Sequence, residues 1–381
     1  MTGPECRCWV EISRSRIAAN FRAIRVLAGA EVTVAPVVKA DAYGHGAVEV
    51  AGILAAEGAH WLAVSSVEEA VRLREVGIAT RLLVMAGFLS YEVEAILHYA
   101  LTPAVHDRLG LDALGATSKQ RGVPATYHLK IDSGMGRLGI RASMDTIAKA
   151  VRGFPHLVLE GVMTHFASSS DYTGSQTEEQ QNAFERICED LRREGITWHL
   201  EHMASTTAIA YGRRQSWKNM IRPGHAVYGY TSPLRIAPAQ HGPANLLNVS
   251  PALAWKARIV AVKEVEAGAR IGYGGMFVSP APMKIAIVGA GYADGIRHQL
   301  SNRGHMIAGG QFAPILGAVS MDVTTIDITH APHLCPGDAV TLIGMDGEAH
   351  QDAQQMARAA GTISYDVLCG IGARVRRVYV D

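Results

Sequence analysis

The sequence contains little that would suit a secreted, membrane-bound or nucleic-acid-binding protein. Its 381 residues include five cysteines, an odd and scattered number that does not predict a disulfide framework. The amino terminus lacks the apolar core of a signal peptide, and no apolar run reaches the ~18 residues of a membrane helix. The net charge is +1 without a basic block, which argues against nucleic acid and membranes as partners. We therefore expect a cytoplasmic protein.

Two patterns that could suggest ligand motifs are weak here. The paired cysteines near the amino terminus lack a second pair at zinc spacing, and His199 and His202 fall on a predicted strand, so no metal site is predicted. Gly134, Gly136 and Gly139 spell G-x-G-x-x-G. They lie on a later strand than an opening βαβ unit, and no acidic residue follows at the expected distance. A dinucleotide site is therefore disfavoured.

The first two thirds of the chain alternate strand-like and helix-like segments, such as the amphipathic stretches Val67–Val76 and Thr177–Arg193. Thr177 and Gln180 have the spacing of a capping box. Eight strand-helix units over about 240 residues predict a (β/α)8 TIM-type barrel, with a doubly wound sheet as the alternative. The strand candidates are Val32–Val38, Trp61–Val64, Arg81–Ala86, Leu101–Val105, Ala125–Ile131, Leu159–His165, Trp198–Met203 and Asn219–Tyr228.

From about Val249 the pattern changes to short β-branched runs broken by Gly, Pro and Asp, which predict a mainly β C-terminal domain. Only Gln351–Ala359 looks helical. The expected domains are a barrel at 12–248 and a β domain at 249–381, which residues 1–11 could join through a strand at Trp9–Ile12. The β candidates are Ala257–Val265, Met283–Val288, Met306–Ala308, Ala339–Ile343 and Arg374–Tyr379.

Lys39 is the most informative residue of the chain. A β-branched apolar run ends at Lys39, and a predicted turn that contains Tyr43 and several glycines follows it. A lysine at the end of a buried strand is partly desolvated, which makes its amine available for a Schiff base. A tyrosine on the turn can reach a phosphate, and the combination suits pyridoxal phosphate (PLP).

Functional groups of a (β/α)8 barrel collect at the carboxyl ends of its strands. The predicted strand ends carry Lys39, Arg137, His165, Thr206 and Arg222, the last of them ahead of a glycine turn suited to phosphate. The second domain has a cluster of its own, in which Tyr273 and Tyr292 lie among glycines that leave the phenols exposed. Its other members are Met321, Asp322 and Tyr365.

The run from Val37 to Gly46 resembles the cofactor-binding signature of bacterial alanine racemases. Five further segments match that family in order, and the resemblance covers nearly the whole chain. They lie at residues 132–139, 272–274, 291–295, 320–322 and 364–366. The resemblance implies a PLP-bearing barrel, a β domain, and a homodimer in which the partner completes each active site.

By this resemblance the chain would interconvert L-alanine and D-alanine by a two-base mechanism and supply D-alanine for peptidoglycan. Lys39 would hold PLP covalently and serve as one acid/base. Tyr273 of the partner subunit would be the second base, on the opposite face of the substrate Cα. Arg222 would face the pyridine nitrogen, and His165 would lie beside the phenol and the cofactor.

The remaining roles are also implied by the resemblance. Arg137 would lie near the phenolic oxygen of PLP and the substrate carboxylate, and Lys130 would orient it. This lysine is often carbamylated in the family. Met321 would donate its backbone N–H to the substrate carboxylate, with Asp322 in support, and Tyr292 and Tyr365 would narrow the opening. The phosphate would be held by Tyr43, Thr206, Tyr365 and the backbone N–H groups of Gly224 and His225.

The chain departs from the family pattern at Ser205, Pro223, His225 and Ser320, which could shift PLP affinity or substrate range. Two other functions stay open. One is a racemase of serine, lysine or a broader set of amino acids. The other is a non-catalytic PLP-binding protein, which would have no use for a second base such as Tyr273. A related PLP decarboxylase would need a glycine triplet for phosphate, and none is found.

Overall fold

The computed structural model describes residues 4–238 and 240–381, in two compact units. The barrel unit comprises Arg16–Ala42 and Ala47–Ser250. The β unit comprises the residues up to Ser15, the short segment Tyr43–Gly46, and Pro251–Asp381. Strand β1 (Cys8–Ser13) opens the chain and belongs to the β unit.

The barrel unit contains eight parallel strands in its described part. Strands β3 to β8 pair in chain order, and β2 pairs with β9. Isolated bridges join Val37 to Ala63 and Ser205 to Arg222, which closes the ring. The predicted (β/α)8 barrel is confirmed, and the doubly wound alternative is wrong. The strands are β2 (Thr33–Val34), β3 (Trp61–Val64), β4 (Arg81–Val84), β5 (Thr102–Val105), β6 (Thr126–Lys130), β7 (Val158–Met163), β8 (Leu200–His202) and β9 (Met220–Ile221).

Strand β3 is apolar throughout because side chains from both of its faces are buried, one set inside the ring and the other under the helices. All four residues of β3 are buried. The last predicted strand was too long: β9 covers only Met220–Ile221, and His225–Tyr228 is a 3-10 turn. Pro223 lacks a backbone N–H, and Gly224 starts the turn, so the ladder cannot continue.

The helices of the barrel unit follow its strands, and three begin with an acceptor side chain. Ser66 accepts from Glu69 N at 3.3 Å, Asp107 accepts from Gly110 N at 2.7 Å, and Ser143 accepts from Thr146 N at 3.3 Å. The α-helices are Arg14–Ala28, which starts within the β unit, Ala47–Ala56, Val67–Glu75, Val93–His98, Arg108–Arg121, Met144–Arg152, Gln176–Arg193 and Thr206–Ala210. The 3-10 helices are Ser90–Glu92, Arg214–Ser216 and His225–Tyr228.

The predicted capping box at Thr177 is wrong. The helix begins one residue earlier, at Gln176, and the side chain of its cap residue, Ser175, accepts no hydrogen bond from the helix backbone. Thr177 instead donates its hydroxyl to Ser168 O at 3.0 Å. Gln180 accepts from Ala167 N at 2.8 Å and donates to His165 O at 3.0 Å. Both side chains therefore hold the loop that carries His165 rather than the helix end.

The β unit is built on a mixed sheet whose central strand, β10, pairs antiparallel with β1, β13 and β17. Strand β1 also pairs in parallel with β19, so the amino-terminal strand lies between two strands from the far end of the chain. The strands are β10 (Leu253–Val265), β11 (Arg270–Ile271), β12 (Phe277–Val278), β13 (Met283–Val288), β14 (His305–Ala308), β15 (Gln311–Pro314), β16 (Thr324–Asp327), β17 (Ala339–Asp346), β18 (Ala349–Gln351) and β19 (Arg376–Val380).

The β unit has two α-helices in its described part, Ala353–Ala360 and Ser364–Cys369. The expectation of a single helical segment there is therefore wrong, because the second helix has only six residues and shows no full amphipathic repeat. Three 3-10 turns complete the unit: Tyr273–Gly275, Tyr292–Asp294 and His298–Leu300. Across the described residues, no helix combines the length and the apolar character needed to cross a membrane.

Candidate active site

Lys39 begins a left-handed turn just beyond the first barrel strand. The φ angles of Ala40, Asp41 and Ala42 are +52°, +52° and +54°, and that of Tyr43 is +55°. Left-handed backbone costs an L-residue roughly 1–2 kcal/mol, so four consecutive non-glycine residues in this region store considerable strain. Strain of this kind is characteristic of functional sites, where surrounding contacts hold it in place.

Two carboxylates hold this turn in the barrel unit. Asp41 Oδ1 accepts from Ala47 N at 2.8 Å, which ties the turn to the start of the next helix. Glu69 accepts from Ala40 N through one oxygen and from Ser65 N through the other, both at 2.6 Å. The backbone on either side of the turn is thereby fixed, and with it the starting point of the Lys39 side chain.

Tyr43 is grouped with the β unit, where its ring lies beside that of Tyr365, with 5.9 Å between centroids. Gly44 makes this approach possible: a Cβ there would lie 2.2 Å from Leu368 O, and the φ of Gly44 is +80°. Arg377 also donates to Gly44 O at 3.2 Å. The structure therefore brings together two of the three hydroxyls that were predicted to hold phosphate.

Arg222 is buried at the carboxyl end of β9, and its guanidinium donates to several acceptors. Nη1 bonds to His202 Nδ1, and Nη2 donates to Thr164 O at 2.8 Å and Met203 O at 3.3 Å. Nη2 also lies 3.4 Å from His165 Nδ1. Its Nε–H has no partner among the residues that the structure describes, and so it is available to a ligand.

Arg222 is charged at neutral pH, and the neighbouring His165 is neutral. Burial lowers the pKa of Arg222 to about 9, which still leaves the guanidinium charged at neutral pH. Burial, followed by the charges of Arg222 and Arg137, lowers the pKa of His165 to about 3. His165 is therefore neutral. Because its Nδ1 faces the N–H of Arg222, its proton resides on Nε2.

Lys130 lies buried at the end of β6, where its Nζ donates to Met85 O at 3.3 Å. Burial, followed by the charges of Arg222, Arg137 and Lys39, lowers the pKa of Lys130 to about 8. Four cationic side chains of the barrel unit thus lie within electrostatic reach of one another. This is an anion-binding environment.

The glycine-rich loop that carries Arg137 is organised by one carboxylate. Asp132 Oδ1 accepts from the backbone N–H groups of Gly134, Met135 and Gly136 at 2.9–3.0 Å. Burial alone would raise the pKa of Asp132, but these hydrogen bonds and the charge of Arg141 outweigh it and lower the pKa. The negative charge of Asp132 is thereby engaged within its own loop.

Arg137 itself is exposed and makes no ion pair or hydrogen bond with any residue in the described part of the chain. It is free to meet a ligand. Lys130 lies within electrostatic reach of Arg137 as a like charge. The predicted role of Lys130 in orienting Arg137 therefore requires that the lysine lose its positive charge.

Thr206, 3% exposed, lies beside the turn that follows β9. Its Oγ1 accepts from Gly224 N at 3.1 Å and from Ala226 N at 3.2 Å. The N–H of Gly224, which the family resemblance assigns to phosphate, is thus engaged with Thr206. The hydroxyl proton of Thr206 remains to be donated. His225 lies next to it, buried and stacked on Tyr230 at 4.9 Å.

These residues fit PLP by the chemistry of their donors. Lys39 offers an amine, Thr206 a hydroxyl, and Lys130, Arg137 and Arg222 a positive field that a phosphate and a phenolate would neutralise. The Nε–H of Arg222 is a donor suited to a pyridine nitrogen. Metal chemistry has no comparable support: no cluster of three potential ligands occurs in the described residues.

Tyr273 lies on the β unit in a turn that glycines make possible. The φ angles of Gly272, Gly274 and Gly275 are +75°, +67° and +56°. Its side chain is 77% exposed, an unusual state for a tyrosine, and Met276 in the same hairpin is 55% exposed. The phenol is therefore presented outwards, where a second molecule can reach it.

The predicted residues Tyr292 and Met321 lie on two loops of the β unit that are bonded to each other. Tyr292 N donates to Ser320 O at 2.9 Å. Arg374 makes a two-point contact with the buried Asp294 at 2.7 and 2.9 Å, and a further one with Asp322 at 2.8 Å. Arg374 therefore links both loops and fixes the backbone around Met321.

Sequence reasoning missed three supporting residues: Asp132, Glu69 and Arg374. An aspartate directly before a glycine-rich turn is a recognisable signal, because its short side chain accepts from the following N–H groups. No local signal identified Arg374, whose partners lie far away in the sequence, or the contact of Glu69 with Ala40, 29 residues away.

Comparison with known proteins agrees with this geometry. Residues 12–232 match the N-terminal domain of alanine racemase, and residues 252–379 match the C-terminal domain. The alanine racemase of Halothermothrix orenii is 37% identical over 372 residues, which are 97% of this chain and 96% of that protein.

Two solved structures are similar over their whole length. That of an alanine racemase from Streptomyces lavendulae has a TM-score of 0.92 at 30% identity, covering 100% of this chain and 98% of the other. That of an alanine racemase from Bartonella henselae, determined with covalently bound pyridoxal phosphate, has a TM-score of 0.87 at 26% identity, covering 98% and 100%.

Proposed function

Because the chain belongs to the alanine racemase family, and is thus an enzyme of the isomerase class, we propose that it interconverts L-alanine and D-alanine with PLP as its cofactor. The observation that carries this proposal is the cluster of Lys39, Lys130, Arg137 and Arg222 at the strand ends of the barrel unit. When bound, PLP withdraws electrons from the substrate Cα and so makes its C–H bond acidic. The D-alanine formed would serve peptidoglycan synthesis.

Lys39 would hold the cofactor through its Nζ and then move a proton to or from one face of the substrate Cα. The strained turn supports this role, since it fixes where the lysine side chain starts. Thr206 would donate its hydroxyl proton to the phosphate. Tyr43 and Tyr365 each offer a phenol suited to the same group.

Arg222 would determine whether the nitrogen of the cofactor ring carries a proton. Its guanidinium remains charged and can only donate, so the ring nitrogen that it faces would stay unprotonated. By keeping that nitrogen unprotonated, Arg222 would favour return of the proton to Cα over transfer of the amino group.

Tyr273 of the partner subunit would move the proton on the opposite face, at its Oη. Its exposure on a glycine turn supports a role towards a second copy of the chain, and we propose a homodimer on this basis. His165 is neutral with its proton on Nε2, so it could donate a hydrogen bond to the phenolate oxygen of Tyr273 and stabilise that anion.

The substrate carboxylate would be bound by Arg137 and by the backbone N–H of Met321, with Tyr292 and Tyr365 narrowing the opening to small side chains. We also propose that Lys130 is carbamylated. Its pKa near 8 leaves a substantial fraction of neutral amine. This amine can add to CO2 with release of a proton, and the carbamate anion could then orient Arg137.

The test is chiral chromatography after separate incubation of the PLP-loaded protein with L-alanine, L-serine, L-lysine and L-glutamate. Conversion of L-alanine alone supports the proposal. Conversion of a larger amino acid instead would replace it with a broader racemase. The absence of any conversion with PLP bound would favour the non-catalytic PLP-binding protein.

The two bases can be tested separately by exchange of the Cα proton in deuterated water. Tyr273→Phe should slow exchange from L-alanine by several orders of magnitude, whereas Lys39→Ala should lose covalent PLP altogether. Tyr91→Phe is a matched control, because Tyr91 is also highly exposed (73%) but lies in the 3-10 helix Ser90–Glu92 of the barrel unit and has no assigned role. Normal exchange in Tyr273→Phe would remove its assigned role.

A further inference from the structure

A buried polar chain runs through the barrel unit from Arg222 to the opposite end of the strands. Arg222 Nη1 bonds to His202 Nδ1, and His202 Nε2 lies 2.8 Å from His128 Nδ1. His128 Nε2 then faces Glu160 Oε2 at 3.6 Å. Glu160 also binds Arg81 at 2.6 and 2.7 Å. The chain therefore connects the proposed catalytic end of the barrel with the starts of β4 and β7.

The barrel accommodates this chain by close packing. His128 and His202 are fully buried, and their rings meet edge to face at 4.9 Å. Gly161 provides the space, because a Cβ at that position would lie 2.8 Å from the His128 ring. A polar pair inside a barrel core is costly unless its hydrogen bonds are satisfied.

The positions of the protons follow from the ends of the chain. Arg222 can only donate, so His202 Nδ1 accepts and the single proton of this neutral ring resides on Nε2. His202 Nε2 then donates to His128 Nδ1. The single proton of the His128 ring must therefore also reside on Nε2, on the side of Glu160. Burial lowers the pKa of both histidines, in agreement with two neutral rings. The Glu160 carboxylate faces the last of these protons at 3.6 Å, so every N–H along the chain points the same way.

We propose that His202, His128 and Glu160 are positioning residues for Arg222, which they hold in one orientation through two histidines of fixed tautomer. Glu160 terminates the chain: its Oε2 lies 3.6 Å from His128 Nε2, which makes no hydrogen bond with any residue that the structure describes. The consequence for catalysis rests on the proposed function, in which Arg222 faces the cofactor ring. The fixed tautomers of His128 and His202 do not depend on the proposed function.

The tautomers are measured on the full chain labelled with ¹⁵N-histidine, without cofactor or substrate, by two-bond ¹H–¹⁵N correlation. Replacement of each histidine by glutamine assigns the signals. We expect the pattern of a neutral Nε2–H tautomer for both His128 and His202 at neutral pH. A neutral Nδ1–H tautomer or a charged ring at either position would overturn the proposal. This result would leave the proposed racemase activity untouched.

The role of Glu160 is measured with Glu160→Leu and the conservative Glu160→Gln. Glu160→Leu should weaken PLP binding about tenfold, which corresponds to about 1.4 kcal/mol, because the His128 Nε2–H loses the carboxylate that it faces. The substitution should also lower kcat more than it changes KM. Glu160→Gln retains an acceptor and should restore most of the affinity. Glu194→Gln, which removes a carboxylate paired with Arg152 at 3.0 Å on the surface, is the matched control.

Unchanged PLP affinity and unchanged kcat in Glu160→Leu would overturn the proposal. Should that variant fail to fold, Glu160→Gln decides: it loses the charge but retains the shape, so it must still shift the His128 Nε2–H resonance. An unshifted resonance would contradict the claim that Glu160 terminates the chain.

Discussion

Replacement of Asp132 by alanine tests whether one carboxylate builds the loop that presents Arg137. The Asp132 side chain is only 6% exposed, and it accepts from three consecutive backbone N–H groups, at Gly134, Met135 and Gly136. An ion pair with Arg141 at 3.1 Å adds to it. Removing the carboxylate leaves these donors without an acceptor.

The expected magnitude follows from those contacts. Each of the three hydrogen bonds contributes about 1 kcal/mol, and the exposed partner Arg141 adds less than about 1 kcal/mol, so Asp132→Ala should destabilise the loop by about 3 kcal/mol. The strands beneath it should stay folded. Because the loop would then occupy many conformations, KM for L-alanine should rise at least tenfold.

Hydrogen exchange measures the effect directly at the amides of Gly134, Met135 and Gly136. Protection there should fall by about 100-fold, as a change of about 3 kcal/mol predicts. Asp132→Asn retains an acceptor oxygen and should restore part of this protection. Asp112→Ala, which breaks an exposed pair with a surface arginine, should leave these amides unchanged. Full protection in Asp132→Ala would refute the reasoning.

Three further predictions concern charges elsewhere. Burial alone would raise the pKa of Glu160, but His128 and Arg81 outweigh it and lower the pKa to about 2. The contribution of Glu160 to stability, about 3 kcal/mol, is therefore complete above its ordinary pKa of ~4.3 and is lost as the pH falls through about 2. The difference in unfolding free energy between the native chain and Glu160→Gln should therefore shrink over that range in urea titrations; a constant difference would contradict this. Labelling with ¹³C-bicarbonate should give a carbamate signal that Lys130→Gln abolishes, and its absence from the native chain would disprove carbamylation. Arg374→Met should raise KM several-fold while PLP affinity is retained, since Asp294 and Asp322 lose their shared partner; an unchanged KM would exclude that role.

Much of the architecture could be predicted because its signals are local. Repeated apolar segments predicted eight strands, and a lysine after the first of them marked the candidate site. Tyr273 between glycines was likewise recognisable from neighbouring residues alone. The extents of strands were less predictable. At β9, for example, the run beyond Pro223 leaves the sheet although its residues remain apolar.

The supporting contacts of the site depended on tertiary structure. Glu69 meets the backbone of Ala40, 29 residues away, because the barrel brings the start of one helix beside the end of an earlier strand. His128 and His202 are 74 residues apart. No pattern in the sequence indicates that they touch.

The sequence by itself determined which residues carry chemistry, since an amine, a guanidinium or a phenol has its reactivity wherever it is placed. Only the tertiary structure decided their state. Arg222, His165 and His202 acquire their shifted pKa values and proton positions from burial and from one another. Both depend on distances that exist once the ring of strands has closed.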